Sequence, residues 1–202
     1  MKLKKVWIQK SFFLPVLLAA LLMTAPAMKQ VKSSPKPEKK DSVVVLTEYG
    51  DYECPACGFY NNWVKQLRKD FGDKLKVDFR NFPLSQHQYS MLAARAAEAA
   101  RNQGKFWGMH DMLYDHQKEW SESNAQAVII KYAQSLNLDM EKFKNDLNSA
   151  ETQKTVMEDK QKGMQVPIHS TPTFMLKGKK IDNPKSYTAF KQLIQQQLDE
   201  ES

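Results

Sequence analysis

Val43-Val44-Val45-Leu46-Thr47-Glu48-Tyr49, then Gly50-Asp51-Tyr52-Glu53, then Cys54-Pro55-Ala56-Cys57 is the stretch on which the reading of this chain turns. The run from Val43 is nearly all apolar or β-branched, the pattern of a buried strand covered on both faces. Past the cysteines, Tyr60, Trp63, Val64, Leu67 and Phe71 recur at helical spacing and form one apolar stripe. A helix is therefore expected to begin at Cys54. Pro55 takes its first position, where a missing N–H costs nothing, and Gly72-Asp73 closes it. Strand, Cys-x-x-Cys, helix is the setting in which this spacing signals redox chemistry rather than metal binding.

Outward from that stretch, Lys76–Phe82 alternates as a second strand and Pro83 ends it. Strand, helix and strand in that order make the two strands parallel in a right-handed unit. From about Ser90 to Gly163 the pattern turns helical. An alanine-rich helix is expected over Met91–Gln103, a second over Phe106–His116 and a third over Ala125–Ser135. A fourth is capped by Asp139, with Met140, Phe143 and Leu147 facing inward, and a fifth covers Glu151–Lys162. β character returns at Thr173–Leu176, with Lys177-Gly178 as a turn and Lys180-Ile181 opening a partner strand. A last helix over Ser186–Leu198 buries Tyr187, Phe190, Leu193, Ile194 and Leu198. The fold class is α/β. A β-α-β…β-β-α frame interrupted by helices, over about residues 88–164, describes a thioredoxin fold carrying an inserted helical subdomain.

The beginning of the chain stands apart from this frame. Lys2, Lys4, Lys5 and Lys10 precede Phe12–Met23, an uncharged, mostly apolar stretch of 12 residues. Ala25-Pro26-Ala27 follows as a small-x-small site. That order reads as a secretory signal over residues 1–27, and the stretch is short of the roughly 20 residues a membrane span needs. Pro26 within the site keeps an uncleaved signal-anchor open as the other reading. Residues 28–41 are rich in Lys and Pro with little to bury, a flexible tether. Residues 42–202 then form the folded domain. The formal charge of +7 resides in the signal and the tether, since basic and acidic residues are equal in number over residues 42–202. Nothing in the folded part calls for nucleic acid.

The two cysteines are the only ones in the 202 residues. In an exported protein disulfides usually staple the fold, but one that closes a four-residue ring constrains the unfolded chain little. Its purpose is therefore chemical. Disulfide exchange needs a thiolate that attacks a disulfide sulfur, and a second thiol that resolves the mixed disulfide. Cys54, at the helix N-terminus with the amides of Ala56 and Cys57 near its sulfur, is expected to be the acidified, attacking thiol. Cys57, one turn in, resolves. Half of a zinc site is the competing reading, with His110 and His116 as the further pair. Against it, 52 residues separate Cys57 from His110, where zinc fingers use about 12–15. Haem attachment fails because Gly58 stands where Cys-x-x-Cys-His needs histidine.

With Glu48–Cys57, Phe82-Pro83-Leu84, Lys105-Phe106-Trp107-Gly108-Met109-His110-Asp111 and Thr171-Pro172-Thr173-Phe174, the chain resembles the DsbA-like thiol:disulfide oxidoreductases of the thioredoxin superfamily. The likeness spans about residues 42–198. One departure is His169-Ser170, where family members often place a glycine before the Thr-Pro pair. The resemblance implies that Pro172 is a cis-proline facing the cysteines. Thr171 would present its backbone to an extended substrate segment, beside Pro55 and Ala56. It also implies that Glu48 shuttles the proton of the buried cysteine, a task suited to a carboxyl whose pKa is raised by burial. Asp51 and Glu53 read as exposed loop acids, and His87, His110 and His116 as helix caps or surface residues.

The function expected is an exported oxidase that donates the Cys54–Cys57 disulfide to reduced, unfolded secreted or envelope proteins. It would work outside the cytoplasm as a monomer, without cofactor or metal, recycled by a membrane redox partner. An isomerase or reductase kept reduced by such a partner, or a non-catalytic chaperone on the same fold, are the alternatives.

Overall fold

Residues 43–166 and 168–200 are described by the structure, a computed structural model. The expected export signal and the tether lie outside the described residues. Strands β1 (Val44–Gly50) and β2 (Leu75–Asn81) run parallel, joined by helix α1 (Pro55–Phe71) and a 3-10 turn at Gly72–Lys74. Gly72 ends α1 at φ 51°, a left-handed conformation in which a side chain would be strained. Strand β3 (Thr173–Leu176) pairs antiparallel with β1, and β4 (Lys179–Lys180) antiparallel with β3, giving the order β2-β1-β3-β4. β1 is thus a central strand, but it is not covered on both faces throughout: Val45 is exposed and Thr47 half-buried, while the rest of the strand is buried. Its Glu48 lies between Phe79 of β2 and Phe174 of β3.

There are two apolar cores among the described residues, and the cysteines belong to the second. In the first, Val44, Leu46, Leu75, Phe174 and Leu176 of the sheet meet Val64, Leu67 and Phe71 of α1 and Phe190, Ile194 and Leu198 of α8 (Tyr187–Glu200). Both helices bring one stripe of residues three and four apart, which is why each lies flat on the sheet. The second core belongs to the helical subdomain: α2 (Ser90–Arg101), α3 (Phe106–Asp115), α4 (Gln117–Ser121), α5 (Ala125–Ser135), α6 (Met140–Leu147) and α7 (Ala150–Met164). Ala93, Ala94, Ala96, Ala97, Ala99 and Ala100 are all buried. Their small side chains let α2 pass through this subdomain surrounded by other helices. Asp139 caps α6 by accepting from the N–H groups of Glu141 and Lys142, as its sequence position indicated.

The subdomain holds six helices among the described residues, not five. The additional one, α4, is five residues long, too short for any periodicity to announce it. It is fixed instead by Trp120, fully buried and donating its indole N–H to the Leu113 carbonyl at 2.7 Å. Helix α7 docks at the end of β2, where Asp159 accepts from Arg80 Nη1 at 3.0 Å and from the Asn81 N–H at 3.2 Å. Lys160 adds a bond to the Pro83 carbonyl at 2.8 Å.

Candidate active site

Cys54 is the N-cap of α1, with extended backbone at φ −74° and ψ 120°. Its N–H donates to the Asp51 carbonyl at 3.1 Å, and its own carbonyl accepts from Gly58 at 3.2 Å. Cys57, one turn on, is fully buried, while Pro55 and Ala56 between them are exposed. Both cysteines are free thiols, and their environments divide sharply. Cys54 is drawn from the usual 9 down to about 5, first by the hydrogen bond it receives from the Cys57 thiol. Burial opposes that shift; the Thr171 hydroxyl and the amides of Cys57 and Ala56 reinforce it. Cys57 is pushed well above its usual value, chiefly by burial, then by the proton it shares with Cys54 and by the charge of Glu48. One sulfur is an anion at neutral pH and the other holds its proton.

Thr171-Pro172 is a cis peptide bond, and Thr171 lies against the cysteine pair with its carbonyl 3.4 Å from Cys54 Sγ. When protonated, the Cys54 thiol donates to that carbonyl. The Thr171 hydroxyl, without another partner among the described residues, is the donor that the thiolate form can use. The loop is braced by Thr173 Oγ1 donating to Ser170 O at 2.7 Å and Asn183 Nδ2 donating to Pro172 O at 2.9 Å. Pro172 itself is buried. Cys54, Cys57, Thr171 and Pro172 therefore converge on one place although more than a hundred residues separate the two motifs.

Glu48 stands beneath them, 1% exposed, with neither carboxylate oxygen partnered among the described residues. Burial, and secondarily the Cys54 charge, raise its pKa from 4.5 to about 8. It is a protonated carboxyl at neutral pH, close enough to the cysteines to respond to their charge.

The structure corrects the expectation for three polar residues, Asp51, Glu53 and His110. Asp51 is not an exposed loop acid but is 1% exposed. Its carboxylate accepts from the N–H of Glu53 at 2.8 Å, the N–H of Leu84 at 2.7 Å and His87 Nδ1 at 2.8 Å. Glu53 is half-buried and accepts from the Tyr89 N–H at 2.6 Å. His110 is likewise no surface residue: it is fully buried among Tyr52, Phe79, Phe106, Trp107 and Tyr114. It hydrogen-bonds Tyr52 Oη at 3.0 Å and Asn61 Oδ1 at 3.1 Å, tying the loop before the cysteines to the helix after them. Burial pushes His110 well below the usual histidine range, so it is neutral.

One residue of the site was missed outright. Gln117, at the start of α4, donates through Nε2 to the carbonyls of Tyr52 at 2.6 Å and Cys54 at 2.9 Å. No local signal marks it, because its partners lie over sixty residues away. Asp51 did carry a signal: an Asp whose carboxylate meets the amide two residues on makes an Asx-turn, here within Gly50-Asp51-Tyr52-Glu53.

A family model described as thioredoxin matches residues 39–196. Among solved structures, BdbD from Bacillus subtilis in its oxidised form superposes with a TM-score of 0.68 and 28% identity, over 80% of this chain and 90% of that one. The α-DsbA1 of Wolbachia pipientis gives a TM-score of 0.69 at 18% identity, over 79% and 88%, a likeness of fold alone. The chain belongs to the thioredoxin family, and its fold is that of the DsbA-like proteins. Curated relatives include proteins named Na(+)/H(+) antiporter NhaA. The NhaA 1 of Mycobacterium sp. strain KMS is 37% identical over 175 residues, which are 84% of this chain and 27% of that protein. The one from Herminiimonas arsenicoxydans is 33% identical over 87% of this chain and 26% of its own length. The chain thus spans about a quarter of these relatives, and the transport in their name is a property of the longer proteins.

Proposed function

We propose that this chain is an exported oxidase that passes the Cys54–Cys57 disulfide to reduced, unfolded proteins outside the cytoplasm. The observation that carries the direction is the acidity of Cys54, drawn to about 5. A thiolate stabilised in the folded enzyme stabilises the reduced state, which makes the disulfide a better electron acceptor. In the oxidising step a client thiolate attacks Cys54 Sγ. The Cys54–Cys57 bond breaks, its electron pair departs on Cys57 Sγ, and Glu48 supplies that sulfur with a proton. The client's second thiolate then attacks the mixed disulfide and releases Cys54 as its stable anion, leaving client disulfide and enzyme dithiol.

Thr171, with Pro172 behind it, and the exposed Pro55 and Ala56 form the side on which the client's extended backbone lies. Phe59 in α1 and Met164 ending α7 are 55% and 71% exposed, apolar surface of the kind an unfolded chain can cover. Residues 1–27 serve as export signal or signal-anchor and 28–41 as tether to the catalytic domain of 42–202. A membrane-bound redox protein returns the disulfide, and the enzyme acts as a monomer.

The test is oxidation of a reduced two-cysteine peptide by the oxidised protein. The wild type is expected to yield peptide disulfide stoichiometrically. Cys54→Ser is expected to yield none, and Cys57→Ser to trap mixed disulfides with clients in cells. Peptide left reduced by the wild type would overturn the proposal.

A further inference from the structure

Asp51 touches both cysteines through its backbone. Its carbonyl accepts from the Cys54 N–H at 3.1 Å, and its N–H points at Cys57 Sγ at 3.5 Å. Its carboxylate, with a side chain wholly shielded from solvent, reaches the other way into the segment after β2, to Leu84 and His87. His87 is the outer member, with a side chain 20% exposed. A fully buried carboxylate held by two amides and an imidazole cannot rotate without leaving charge unpaired, so the peptide that carries it is fixed as well.

We propose that Asp51 and His87 are a positioning pair for Cys57: His87 locks the Asp51 carboxylate, and the lock aims the Asp51 N–H at the sulfur that leaves when the disulfide opens. This rests on the proposed reaction, in which Cys57 departs as a thiolate with the electron pair of the broken bond. An N–H donor stabilises that departing anion before Glu48 protonates it. Neither side chain touches the reacting atoms. Two effects of Asp51 then have opposite signs. Its buried negative charge disfavours a thiolate nearby, while the amide it positions favours one. The pairing with His87 and two amides offsets the charge and leaves the amide in command.

The test mixes oxidised protein with a peptide bearing one thiol and follows mixed-disulfide formation by quenched-flow mass spectrometry. Asp51→Asn and His87→Leu are expected to slow this step about tenfold, the worth of one hydrogen bond to an anion. His87→Asn, which keeps a donor where Nδ1 stands, is expected to restore a rate close to the wild type. The pH midpoint of Cys54 alkylation in the reduced proteins is expected to stay put in all three, a separation that general loosening of the loop would not give. His87, near the surface, is the variant that folds even if Asp51→Asn does not. A rate in Asp51→Asn at or above the wild type would show the charge to dominate and overturn the proposal, as would an unaffected His87→Leu or a Cys54 midpoint that moves in step with the rate. A wild type that forms no mixed disulfide would instead overturn the proposed function, and this inference with it.

Discussion

The chemistry of this protein rests on single residues whose ordinary acidities have been exchanged. Cys54 behaves as an acid of about 5, whereas Glu48 behaves as one of about 8, an inversion produced by hydrogen bonds to one sulfur and bare burial of one carboxyl. Alkylation of reduced protein should therefore report a reactive thiolate with a midpoint near 5, and a midpoint of 8 or above would contradict the account. The value falls between the roughly 7 of thioredoxin and 3.5 of the most oxidising relatives, as expected where Pro55-Ala56 supplies amides but no cation. Glu48 makes a second prediction, in stability. Its folded pKa is raised above the unfolded value, so its contribution is most favourable below pH 4.5 and is lost as pH rises through about 8. From 4.5 to pH 7 is two and a half pKa units, worth about 3 kcal/mol. Glu48→Gln should gain a stability of that order at pH 7 in denaturant melts and flatten the pH slope. It should also slow disulfide exchange, the pattern of a residue kept for function.

At the scale of elements, most of the frame was legible because it is written in local patterns. The apolar run of β1, the stripe of α1, the Asp139 cap and the Thr171-Pro172 pair all sit within a few residues of what they specify. The α5 bounds Ala125–Ser135 agree with the reading from sequence. What escaped was set by distant partners. Helix α4 is held by Trp120 and by Gln117 reaching back to the cysteine loop, and neither contact leaves a trace in the neighbouring sequence. His110 and Asp51 were misjudged for a related reason. Polar residues default to the surface in any reading by composition, and only packing reveals that Tyr52, Asn61, the Leu84 amide and His87 satisfy them. The seat of α7 on the sheet shows the same dependence on closeness. A Cβ at Gly163 would come 2.7 Å from the Phe82 ring and 3.0 Å from Tyr49. Gly163→Ala should thus cost about 1–3 kcal/mol by thermal or chemical denaturation, despite its better helix propensity. An unchanged midpoint would mean that α7 sits farther from the sheet.

For the whole molecule, the acidity of Cys54 links redox state to folding. The disulfide spans too few residues to stabilise the fold by constraining the unfolded chain. The reduced form gains instead from a thiolate that forms more readily in the folded protein than in the unfolded chain. That gain is complete above the usual thiol value of 9, partly present at pH 7, and gone once pH falls through about 5. The reduced protein should melt above the oxidised one at pH 7, and the difference should vanish below pH 5. The redox equilibrium of the Cys54–Cys57 pair against glutathione at pH 7 tests the same coupling most directly. Each tenfold shift in that equilibrium is about 30 mV for a two-electron couple. A potential well above the roughly −270 mV of a reductase and toward the roughly −120 mV of a strong oxidase is expected. A value near −270 mV would contradict that expectation, and would make Cys54–Cys57 a source of electrons rather than a sink.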